Sequence, residues 1–243
     1  AAPPLLAARG GGCRGPFSDP PSYPSSPGSF CSAPHAAQEG RSTTQLLFRR
    51  LAELLGRLPL LRHHSHFLFV PGPADASLGP QSLLHRPPLA NVFTAELRGT
   101  LEHCHLLPNP ARFQLGGQTA IVYREDVLTR TKLAALAPPN IAECDDVNRH
   151  LVETMLLQGH LCPVPLAQTA SYAPSALLLD AAPDLLVVAG RKAQFNLQAD
   201  AASGGAREGT VAFSPGSFGS SGKWMVYRAA ERVAEASFLE LPD

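Results

Sequence analysis

Several features are missing from this 243-residue sequence, and each absence removes a class of function. The five cysteines, Cys13, Cys31, Cys104, Cys144 and Cys162, are widely spaced and include no Cys-x-x-Cys pair, so the common zinc-ribbon and finger arrangements have no ligand set. Their odd number and scatter fit reduced thiols better than a disulfide framework. Neither sign of charge is in excess, because 20 Lys and Arg balance 20 Asp and Glu, so no overall cationic field draws in a nucleic-acid backbone. No apolar run approaches the ~20 residues of a membrane-spanning helix. The Gly-x-Ser-x-Gly elbow of serine hydrolases is absent, despite the similar residues in Ser214-Pro-Gly-Ser-Phe-Gly-Ser-Ser-Gly222. The glycine-rich pieces at Gly10–Gly12 and Gly204-Gly205 lack the Lys-Ser/Thr ending of a phosphate loop and read as connectors.

What remains is a composition with 44% hydrophobic residues, enough for a substantial core in a chain of this length. The N-terminal forty residues stand apart, since half are Pro, Gly or Ser. Such a segment buries too little apolar surface to offset its ordering entropy, and residues 1–27 are expected to be disordered. Beyond it, Ser42 and Gln45 have capping-box spacing, and Leu47, Leu51, Leu54, Leu55 and Leu58 form one apolar face. The pattern predicts a helix that Pro59 terminates. Phe67–Val70 predicts a short buried strand running into Pro71-Gly72-Pro73, and the loop after such a strand is a usual place for chemistry in α/β folds.

Further along, Ala111–Leu115 and Gln118–Tyr123 flank Gly116-Gly117, the signature of a two-residue hairpin. Helices are predicted over Glu125–Leu136 and Asp145–Gln158, the second stopped by Gly159. Asp184–Ala189 is a continuous apolar run suited to a strand covered on both faces, and Thr210–Phe213 and Trp224–Tyr227 read as two more strands. Helices and strands interleave early and hairpin-like strands follow late, which predicts an α/β fold with mixed sheets flanked by helices.

Histidine clusters invite a metal reading. His63-His64-Ser65-His66 places imidazoles two apart, which on a strand would point to one face, and His103-Cys104-His105 is a second, shorter cluster. The first has no carboxylate or cysteine nearby in sequence to complete a site and is expected to be a solvated loop, and the second is equally short of ligands. Cys144-Asp145-Asp146 reads as a helix start, where acids face the positive end of the dipole.

Several stretches, in one order, resemble the second (B) subunits of DNA polymerase epsilon from about Gly28 to Leu241. They are Phe69-Val-Pro-Gly-Pro-Ala-Asp75, Arg86-Pro-Pro-Leu89, Asn109-Pro-Ala-Arg-Phe-Gln114, Tyr123-Arg-Glu-Asp-Val127, Leu156-Leu-Gln-Gly-His-Leu161, Pro183–Ala189 and Ser214–Phe218. The resemblance implies a calcineurin-like metallophosphoesterase sandwich over residues 28–243, incomplete at its N-terminus, where relatives have apolar strands. Active members of that fold are two-metal hydrolases, whose paired cations need carboxylate and imidazole ligands from several strand ends. Set against the fold's ligand motifs, Gly28-Ser29-Phe30 stands where Gly-Asp is usual. Pro71–Asp75 stands where Gly-Asn-His-Asp is usual, and Pro215-Gly-Ser-Phe218 replaces Gly-His-x-His. Only Asp75 and His160 are left as degenerate remnants. His160 reads either as a vestigial ligand or as a packed histidine near a helix end, and Asp75 as a loop acid fixing its own turn.

The resemblance therefore implies a protein without catalytic residues, metal or cofactor: a nuclear accessory subunit in DNA replication. Its partner would be the cysteine-rich C-terminal domain of the polymerase epsilon catalytic subunit, alongside the other polymerase epsilon subunits, with DNA reached only through the complex and no membrane contact. A working phosphoesterase with rearranged ligands, and the second subunit of polymerase alpha or delta, are the alternatives.

Overall fold

The computed structural model describes residues 33–73, 75, 85–135, 146–164, 174–190, 194–199 and 209–240, with side chains from Thr43 onward. The segment expected to be disordered (residues 1–27), Gly28-Ser29-Phe30, Cys13, Cys31, Cys144 and Gly204-Gly205 lie outside them. The first described element is α1, Ala33–Gly56. Ser42 is interior to it and does not start it, which corrects the capping-box reading: a Ser-x-x-Gln spacing fits inside a helix whose first turn lies further upstream. Pro59 likewise does not end α1 but opens α2, Pro59–His64, where its missing N–H costs nothing.

Strand β1, His66–Phe69, pairs in parallel with β2, His103–Leu106, across the crossover helix α3, Asn91–Thr100. Phe67, Phe69 and Cys104 on the inner face of this pair pack against Ala52, Leu97 and Leu101 with Phe48, Leu51 and Leu55, so of the five leucines expected to form the apolar face of α1 only Leu51 and Leu55 are used, while Leu47, Leu54 and Leu58 stay exposed.

The hairpin forms as expected: β3, Ala111–Leu115, runs antiparallel to β4, Gln118–Tyr123. Gly116 and Gly117 take φ of 58° and 82°, the positive pair that a type I′ turn demands. A valine at Gly117 is expected to destabilise the fold by about 1–2 kcal/mol through left-handed backbone strain, measurable as a lower urea midpoint with an unchanged slope.

Asp126 caps α4, Val127–Ala134, and Asp146 caps α5, Val147–Leu157, each side chain accepting a bond from a first-turn N–H. Strand β5, Leu185–Val188, is the centre of a five-stranded mixed sheet ordered β3-β4-β5-β7-β6, with β6 at Phe195–Ala199 and β7 at Thr210–Ser214. A four-residue helix, α6 (Phe218–Ser221), leads to the antiparallel pair β8, Lys223–Arg228, and β9, Val233–Phe238.

Strand alternation assigns the two faces of the large sheet. Ile121, Tyr123, Leu186 and Val188 face α4 and α5 through Val127, Leu151, Val152 and Met155. Ala120, Leu185, Val211 and Phe213 face the β8–β9 pair through Met225, Tyr227 and Ala234. The molecule is the mixed α/β sandwich that the alternation of elements predicts. Because β4, β5 and β7 run parallel, their carboxyl ends share one edge, where such sheets gather their loops.

Candidate functional site

The loops at that edge enclose a cavity of about 670 Å³ lined by Asp75, Arg124, Glu125, Asp126, Gly190 and Ser217, among others. The residues after β1, β4, β5 and β7 all contribute, so the loop around Gly72 lies where the strand-end rule puts it.

Each of the three acids on this wall is already engaged. Asp75 folds back on its own turn: its Oδ2 accepts from the Gly72 N–H at 2.7 Å and from Arg124 Nη1 at 2.9 Å. Arg124 also donates to the Val70 carbonyl, tying the end of β1 to the end of β4. Its guanidinium lies against Gly72, where a Cβ would meet Arg124 Nη2 at 2.7 Å. A glycine at 72 is therefore what lets the arginine lie there. Asn109, fully buried, fixes the arginine's backbone by accepting from its N–H at 3.0 Å and donating to its carbonyl at 2.7 Å.

Glu125 is 4% exposed and accepts from Arg86 Nη1 at 2.9 Å, with Arg130 Nε and the Asp126 N–H each 3.3 Å from its second oxygen. Asp126 is committed to the start of α4, bonding the Thr129 hydroxyl at 2.8 Å.

These residues do not fit a pair of divalent cations. Two metals need several anionic or imidazole donors free to converge, whereas here a guanidinium occupies the Asp75 carboxylate and two more hold Glu125. Among the described residues no group of three His, Cys, Asp or Glu side chains is placed to hold an ion.

His160 does not line this cavity. It follows α5, where its N–H bonds the Met155 carbonyl, its backbone bridges to Leu178, and its Nδ1 accepts from the Cys162 N–H at 3.1 Å. Asp75 and His160, the two motif remnants, are not brought together. Beside His160, the buried Cys162 thiol lies against the Tyr123 hydroxyl, and burial pushes the pKa of both upward.

Arg86, Arg124 and Glu125 do not stand out from the sequence as site residues. The signal available is three consecutive charges, Arg124-Glu125-Asp126, between an apolar strand and a helix.

The structure also changes the histidine clusters. His63 and His64 end α2 and His66 begins β1, so the first cluster is not a loop. Parallel pairing sets His66 beside His103, joining two clusters that are far apart in sequence.

Comparison with known proteins gives a consistent result. The family of DNA polymerase alpha/epsilon B subunits matches residues 27–197. The chain is similar to the DNA polymerase epsilon B subunit of Arabidopsis thaliana, 34% identical over 216 residues that cover 87% of this chain and 39% of the relative. It is 33% identical to DNA polymerase epsilon subunit 2 of Bos taurus over 216 residues (88% and 38%), and 33% identical to that of Homo sapiens over 218 residues (88% and 38%). The chain thus spans about two fifths of the length of these relatives.

Proposed function

The chain belongs to the family of DNA polymerase alpha/epsilon B subunits, and from that premise we propose that it is a non-catalytic accessory subunit of DNA polymerase epsilon, acting in nuclear DNA replication. Residues 28–243 form one inactive phosphoesterase-like domain in this proposal, and the relatives named above, all polymerase epsilon subunits, favour epsilon over alpha or delta. The observation that carries the non-catalytic half is the Arg124–Asp75 ion pair inside the strand-end cavity. A fixed cation sits against the acid that a metal would need, and the other two acids on that wall are spent on Arg86, Arg130 and a helix cap.

The partner in this proposal is the cysteine-rich C-terminal domain of the polymerase epsilon catalytic subunit, with the remaining subunits joined through it. Balanced charge supports contact with DNA through the complex rather than directly. Co-expression with that C-terminal domain is expected to give a complex that co-elutes on gel filtration. Absence of the complex, even when the segment that precedes the matched region in the relatives is added, would sink the scaffold role. For the non-enzymatic half, bis(p-nitrophenyl) phosphate with Mn²⁺ is expected to show no turnover above buffer. Turnover that disappears in His160→Ala or Asp75→Asn would establish the rival, a phosphoesterase with rearranged ligands.

A further inference from the structure

We propose that the outward face of the β1–β2 pair is a transition-metal site, in which His66, His103 and His105 bind one borderline divalent cation such as Zn²⁺. This site is separate from the strand-end cavity, and none of its three histidines lines that cavity.

The parallel register aligns His66 with His103 and Leu68 with His105. Side chains two apart on a strand share a face, so His103 and His105 project on one side, and the ring contacts put His66 with them. His66 Nδ1 lies 3.3 Å from His105 Nε2. Two nitrogens bound at ~2.0–2.1 Å to a tetrahedral zinc are themselves about 3.3–3.4 Å apart. The observed spacing equals that of a chelating pair, and because the two planes lie 10° from parallel, both rings turn before their lone pairs meet one ion, exchanging a hydrogen bond for two ligand bonds.

His103 is stacked on His66 with ring centroids 4.3 Å apart and planes 10° from parallel. Among the described residues no three donors are closed around one point. Rotation of the His103 ring off its stack supplies the third nitrogen. Three imidazoles with one open position form a donor set that zinc accepts, and imidazole suits Zn, Cu and Ni over Mg or Ca. His63 and Glu102, 3.0 Å apart and half exposed, lie just before the same two strands. The carboxylate adds negative charge near an incoming cation.

The bland role for these rings is stacking alone, and the two roles differ in measurable ways. Calorimetric titration of the whole 243-residue chain with Zn²⁺ is expected to give one equivalent at micromolar or tighter Kd. Co²⁺ in its place is expected to give the visible absorption of a tetrahedral nitrogen site. His66→Ala, His103→Ala and His105→Ala should each weaken binding by about tenfold or more, a loss of about 1.4 kcal/mol, while His160→Ala leaves it unchanged. Protons compete for the same lone pairs, so affinity should fall as the solution is acidified.

A readout on the unaltered chain covers the case in which a variant misfolds. Zn²⁺ should protect His66 and His105 from diethyl pyrocarbonate, as mapped by mass spectrometry. No stoichiometric binding, or binding that survives His66→Ala with His105→Ala, or the absence of protection at those two rings, would overturn the site.

Discussion

Replacing Glu125 by alanine is expected to lower the unfolding free energy by about 3–5 kcal/mol, a large part of the roughly 5–15 kcal/mol that holds a typical domain together. The reason lies in what is left behind. Arg86 is 2% exposed and its Nη1 donates to Glu125 at 2.9 Å. Its backbone is fixed by two bonds to Asn109, at 2.8 and 2.9 Å, so the side chain cannot swing to solvent to recover its hydration. Alanine at 125 thus takes the neutralising carboxylate away from a buried guanidinium. Glu125→Gln should cost less, because an oxygen still accepts from Arg86 although the charge is gone. Replacing the pair together, Arg86→Met with Glu125→Leu, should recover much of the loss, since a buried pair contributes little relative to apolar groups of similar volume. Urea unfolding followed by far-UV circular dichroism checks the series. A loss under about 1 kcal/mol for Glu125→Ala would mean the pair is not desolvated as described.

The second large effect is in the sheet. Leu186→Ala is expected to cost about 2–5 kcal/mol, because the leucine is fully buried at the centre of β5, between β4 and β7, and the surrounding strands cannot collapse into the void. Leu54→Ala, at a position 59% exposed on α1, should stay within about 0.5 kcal/mol. Similar losses for both variants in the same urea series would contradict the assignment of β5 as the core strand.

The elements that local chemistry controls are legible in the sequence. The Gly116-Gly117 turn, the strand Leu185–Val188 and the helix Val147–Leu157 with its glycine stop follow from backbone preference and apolar periodicity over a few residues, and the structure places all three as expected. Strands β6 and β9 leave little trace there. Their burial is partial, with only Leu197 and Ala199 buried in one and Ala234 in the other, so their apolar pattern is weak without the neighbour that each covers. The start of α1 is misread because a capping box in mid-helix looks identical to one at an end.

The cavity divides along the same line. Sequence alone determined which ligand motifs are missing, that Pro71-Gly72-Pro73 ends the first strand, and the family to which the chain belongs, since each is a matter of residue identity and order. Only the tertiary structure decided that Arg124 covers Asp75, that Arg86 and Glu125 form a buried pair, that His160 lies apart, and that His66 meets His103 and His105. Those contacts join residues 37 to 49 positions apart. Nothing in local spacing encodes such a meeting, because it depends on which strands pair and which ends share an edge, and that is settled by the packing of the whole core.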